Sequence, residues 1–187
     1  MDLKLPLVVA PLGGRLVQAW VPAFWPRLSR VGPSLSMLRD ELALAVMERF
    51  ENEPPANVAA YQLPPHLALR HVKVDTEARD RVKGKRVVLQ GRMAVLLEKW
   101  PRDDFWVVTP TRMPEARFAL ANPDALPQAL ARRLTTWCLE HDLEDLGERW
   151  GMGRERLELL EVDAYAPTIL PRTPPKPPAP PRRRKTG

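Results

Sequence analysis

One order of elements runs through this chain twice, and that order limits what it can fold into. Short apolar runs at Leu5 to Ala10 and Arg15 to Val21 flank Gly13-Gly14, which is the signature of a strand hairpin. An irregular segment, VPAFWPRLSRV, follows; Pro22 and Pro26 admit it only as a loop or an edge strand. Leu35, Leu38, Leu42, Val46 and Phe50 then recur every three or four residues, one helical stripe opened by Ser34 or Ser36 as N-cap and closed before Pro54-Pro55. A strand follows a loop with Pro64-Pro65, alternating from Leu67 to Asp75. The series then restarts. Arg86 to Leu97 and Phe105 to Val108 read as strands, and Arg117 to Ala121 as a short one. Leu126, Leu130, Leu134 and Trp137 or Cys138 form a second helical stripe capped at Asp124, with Pro127 in the first turn, where its missing N–H costs nothing. Leu143, Leu146 and Trp150 extend this stripe past a kink to Gly151, and Leu157 to Ala164 alternates as a last strand.

A shift of 88 residues lays one half on the other without a gap. Pro22 and Pro26 then meet Pro110 and Pro114; Leu38, Leu42 and Ala43 meet Leu126, Leu130 and Ala131; Val8-Val9 meets Leu96-Leu97, and Val74-Asp75 meets Val162-Asp163. The expected fold is α+β: one or two antiparallel-rich sheets, two principal helices, and an internal duplication of a β-β-α-β unit with repeats at 4–75 and 92–163. The domain runs over 1–167 and is followed by a Pro/Arg-rich segment, 168–187.

The isoelectric point of about 9.9 belongs to that last segment. Residues 172–187 hold six Lys and Arg and no acid; without these six, 23 basic residues balance 23 acids. A basic chain is the usual argument for nucleic-acid binding, but here the folded part is neutral. The tail reads three ways: a stiff extended linker, a proline-rich ligand for an aromatic groove, or a basic patch of Arg182, Arg183, Arg184 and Lys185 that touches nucleic acid or anionic lipid. The linker reading leads, and it predicts that a longer polypeptide continues past Gly187.

Chemistry-bearing motifs are scarce. Gly84-Lys85 lacks the rest of a phosphate-binding loop, and Gly13-Gly14 lacks the third glycine of a dinucleotide fingerprint. His66, His71 and His141 sit in no metal-ligand spacing. Cys138 falls on the apolar stripe of the second helix and reads first as a small buried hydrophobe, although His141 one turn on would permit a Cys–His pair. No catalytic residue, cofactor or metal is expected. With one cysteine, no intrachain disulfide forms, which favours a cytoplasmic protein. The start, MDLKLPLVVAPLGG, has the outline of a signal peptide, but its apolar run is short and continues as alternation, so it reads as a strand. No apolar run is long enough to span a membrane.

Trp20, Phe24 and Trp25 cluster in WVPAFWP. They either cover the edge of the core or form a partner-binding ridge, since tryptophan is enriched at binding hot spots.

Two resemblances add to this reading. The opening Leu5 to Phe50, strand–Gly-Gly–strand–VP–helix, resembles the HicB-type antitoxin module, which implies a small packed α/β unit. The stretch VVTPTRMPEARFALANPDALPQALARRLTTWCLEH, with flanking LALRHVKVD and ERLELLEVDAYAP, resembles N-terminal regions ahead of the ATPase modules in bacterial Clp/Hsp100-type AAA+ proteins. The second covers about residues 60 to 165 and implies a non-catalytic domain that meets substrates or adaptors. The leading expectation is therefore a protein-binding domain of a larger Clp-like machine, and the alternative is a stand-alone HicB-like antitoxin or nucleic-acid-binding regulator.

Overall fold

The computed structural model describes residues 2–163. It contains two four-stranded antiparallel sheets and two long helices, an α+β fold. The elements run β1 (Asp2–Gly13), β2 (Leu16–Trp20), β3 (Ser29–Gly32), α1 (Leu35–Phe50), α2 (Pro55–Ala59) and β4 (His66–Arg79), followed by β5 (Arg86–Lys99), β6 (Trp106–Pro110), β7 (Phe118–Leu120), α3 (Leu126–Glu140) and β8 (Arg156–Asp163). The first sheet is ordered β3-β2-β1-β8 and the second β4-β5-β6-β7.

Each sheet therefore takes three strands from one half of the chain and its fourth from the other half. The 88-residue shift holds across this exchange. It carries Leu3↔Val162 and Leu5↔Leu160, on β1 and β8, onto Gly91↔Val74 and Met93↔Val72, on β5 and β4.

Strand alternation sorts the side chains into layers. On β1, Leu3, Leu5, Leu7 and Val9 face the stripe Leu38, Leu42, Val46 and Phe50 of α1. Val8 and Ala10 point to the opposite face and pack with Trp20, Trp25 and Leu69. On β5, Met93, Val95 and Leu97 face Leu126, Leu130, Leu134, Trp137 and Cys138 of α3. The layers run α1, first sheet, second sheet, α3. Each buried leucine of these stripes contributes about 1.5–3 kcal/mol.

The structure departs from the sequence reading at several termini. β4 does not stop at Asp75: it continues to Arg79 because Thr76 and Ala78 are buried and the ladder with β5 runs on to Arg79↔Arg86. Pro55 starts a short helix rather than a loop, occupying a first-turn position that needs no N–H. Ser34 sits at the N-cap of α1 without a side-chain capping bond. Asp124 does not cap with its side chain; its N–H donates to Asn122 Oδ1 in a 3-10 turn that leads into α3. α3 ends at Glu140, where His141 N bonds back to Trp137 O and Asp142 turns to φ +49°. Leu146 still reaches the core, but from the connection rather than from a helix, so Gly151 is no helix stop. The last strand ends at Asp163; Ala164 and the segment 168–187 lie outside the described residues.

Candidate functional site

The three rings of WVPAFWP divide between two clusters: Trp20 pairs with Trp25, and Phe24 packs elsewhere. Trp20 is fully buried between the sheets, where its indole N–H donates to Thr111 O at 3.0 Å. Phe24 joins Phe50 and Tyr61 in a ring cluster with centroids 5.1–5.7 Å apart. Trp25, half-buried, meets Trp20 edge-on at 5.7 Å. Trp20 is removed from the surface, which corrects the ridge expectation at that residue, while Phe24 and Trp25 stay half-buried. The basic residues Arg182, Arg183, Arg184 and Lys185 lie outside the described residues.

Cys138 and His141 do not form a reactive pair. The thiol is buried and its pKa is pushed up to about 11 by that burial, with Arg149 opposing, so no thiolate is present at neutral pH. His141 stacks on Trp137 at 4.1 Å, and its Nδ1 lies 2.8 Å from Trp137 O. Among the described residues no group of three His, Cys, Asp or Glu could hold a metal ion, and no helix is long and apolar enough to cross a membrane.

Between the sheets, Arg112 is the central polar group. It is buried, lies 4.5 Å from the Trp20 ring and 5.2 Å from the Trp25 ring, and donates to Glu148 O and Gln18 Oε1. Glu155 is buried nearby; it accepts from the Met152 and Arg154 N–H groups and lies 3.1 Å from His71 Nε2. These contacts draw the connection 141–155 across the sheets. Trp150 of that connection lies over Gly91, where any Cβ would meet the indole at 2.5 Å.

The matching region of the other half is open. Under the 88-residue shift Trp150 corresponds to Gln62 and Gly91 to Leu3. Leu3 is turned into the α1 core, and Gln62 lines a cleft of about 470 Å³. β1 supplies its floor with Leu5 and Pro6, the connection 51–65 one wall with Glu53, Asn57 and Tyr61, and the second sheet the other wall with Glu98, Trp100 and Arg117. Tyr61 is held rigidly by the Phe24–Phe50 cluster. Trp100 keeps 38% of its surface exposed.

Two carboxylates line the cleft in different states. Glu98 is largely buried; burial pushes its carboxyl above the usual range, and Arg117, 3.2 Å away but itself half-exposed, only partly opposes this. Glu53 is lowered by hydrogen bonds from Asn57 and Arg49. An under-compensated acid beside two aromatic rings suits a cation on an apolar stem.

Sequence reasoning singled out none of Tyr61, Glu98, Trp100 and Arg117. One signal was present: Trp100 lies in the polar turn EKWPRDD, where a ring has no core to fill. Comparison with protein-family models, with curated proteins and with solved structures finds no match.

Proposed function

We propose that this chain is a non-catalytic protein-binding domain that takes a cationic polypeptide segment in the cleft between Tyr61 and Trp100. The observation that carries this reading is the asymmetry of two otherwise matching halves. One connection fills its space with Trp150, whereas the other leaves a cleft lined by rings and an under-compensated carboxylate. The resemblance of residues 60–165 to the N-terminal regions of Clp/Hsp100-type AAA+ proteins supports substrate or adaptor recognition, as part of a larger machine, as the use of such a cleft. The residue-by-residue correspondence of the strand pairings supports an origin by duplication of one unit.

A photo-crosslinking amino acid in place of Trp100, in a chain shortened after residue 167, tests the cleft. Adducts with a polypeptide at position 100, reduced by Glu98→Lys and missing when the probe replaces Val82, are expected. Equal labelling from both positions, or none from position 100, overturns the reading. Val82 serves as the control because it lies at the tip of the β4–β5 hairpin. The cleft lies at the hairpin's other end, 14 residues and about 45 Å away.

A second reading, a HicB-like antitoxin or nucleic-acid-binding regulator, is favoured by the packing of β1, β2, β3 and α1 as one unit over Leu5–Phe50. It requires nucleic-acid binding that weakens steeply with salt and is lost with residues 172–187. The size of the endogenous polypeptide separates the two: a band far above 21.3 kDa supports the appended domain, and one at that mass supports the regulator.

A further inference from the structure

The cleft and the end of the described chain lie on the same strand. β8 ends at Asp163, paired with Asp2, while Leu160 pairs with Leu5, which together with Pro6 lines the cleft floor. From Asp2 to Leu5 is about 10 Å along β1. Arg172 follows Asp163 by nine residues, which span up to about 28 Å when extended. All six cations of 172–187 therefore come within reach of Glu98.

The chemistry matches on both sides. Proline-rich segments dock against aromatic faces because their backbone is already extended and loses little entropy on binding. Tyr61 and Trp100 supply such faces, and Pro6 and Pro64 line the floor and wall beside them. The sequence PPAPPRRRK places four cations directly after two proline pairs, with no acid in the segment to compete for them. Among the described residues Glu98 has one side-chain partner, Arg117, at a single contact, and its burial leaves its charge poorly compensated. Tethering adds to this: a segment held close to its site acts at an effective concentration of the order of millimolar, enough to populate a contact too weak to persist between separate molecules.

We propose that segment 174–185 of this same chain occupies the cleft, its prolines against Tyr61 and Trp100 and one of its arginines against Glu98, and so competes with any polypeptide that binds there. This rests on the reading of the cleft as a polypeptide-binding site. The tail then acts as a resident ligand, and an incoming segment must displace it.

The full chain carries its own test. Cys138 is buried, so a nitroxide reagent attached to an Arg183→Cys variant marks the tail alone. In the isotopically labelled full-length protein, the Trp100 indole N–H and the Tyr61 amide should lose most of their signal to the nitroxide, while the Val82 amide keeps it. Adding Glu98→Gln should restore most of the Trp100 signal, as should raising the salt concentration. An undiminished Trp100 signal overturns the proposal, as does equal loss at Trp100 and Val82. If the loss appears equally when the nitroxide sits on one chain and the isotope on another, the tail binds a second copy, and the intramolecular assignment falls. Should Trp100 be untouched by the tail while position 100 of the shortened chain still crosslinks to polypeptides, the resident-ligand proposal fails and the binding reading stands. If both fail, the cleft is not a polypeptide site.

Discussion

Glu98 and Glu155 show how one residue type takes opposite roles in one small protein. Both are removed from water, which disfavours the ionised form. At Glu155 burial opposes ionisation, but backbone N–H groups, His71 and Arg112 together outweigh it and hold the carboxyl below its usual range. Its contribution to stability is therefore present above the ordinary carboxylate range and is lost as pH falls through the lowered value. At Glu98 burial wins over Arg117, so the folded protein holds the proton more tightly than the unfolded chain. That contribution is favourable in acid and is lost as pH rises through the raised value. Glu98→Gln should then be at least as stable as the parent at pH 7, with the gain shrinking as the pH drops towards the ordinary carboxylate range. Urea midpoints of both proteins across that range check this, and a variant clearly weaker at pH 7 shows that Arg117 outweighs burial. Nothing in the sequence separates these two glutamates, because local charge density is similar and only the packing around each differs.

Among elements, β5 shows how a strand is shaped by a partner far away in sequence. A lone glycine inside a strand marks a bend or a close approach, and Gly91 is such a residue. In the fold it pairs with Val74 in an unbroken ladder, and its missing side chain is the space that Trp150 occupies. Gly91→Ala should cost about 1–3 kcal/mol from overpacking. The double variant with Trp150→Ala should cost less than the sum of the two single changes, because the clash is then gone. Additive losses in thermal or urea unfolding would show that Gly91 matters for its backbone alone. The helices were legible because their stripes repeat at 3.6 residues: every buried position of α1 and α3 lies on the expected register. The ends were not. Thr76 reads as polar, yet it is buried and bonds Thr135 of α3 at 2.9 Å, and this extends β4 beyond its hydrophobic alternation.

At the scale of the whole molecule, the exchange of last strands makes each half incomplete. Residues 2–79 lack β8 beside β1, and residues 86–163 lack β4 beside β5. Leu160 and Val162 belong to the core over α1, and Val72, Val74 and Ala78 to the core over α3. A chain cut between Val82 and Lys83, in the hairpin turn, should yield two fragments that remain unfolded apart and reassemble when mixed. Circular dichroism and gel filtration of each fragment and of the mixture check this, and a cooperatively folded single fragment would contradict it.

The period of the apolar residues and the placement of prolines determined which stretches become strands and helices and in what order, because those choices rest on neighbours within a few residues. The same periodicity held the 88-residue correspondence. Which strand completes which sheet was settled only by tertiary packing, since β4 and β8 read alike and either could close either sheet. Packing also decided that Trp20 is core and Trp100 is surface, that one half fills its cleft and the other leaves it open, and that Glu98 lines that cleft together with Tyr61 and Trp100. Each of these depends on groups that meet across the sheets from distant parts of the chain, and no local pattern encodes such a meeting.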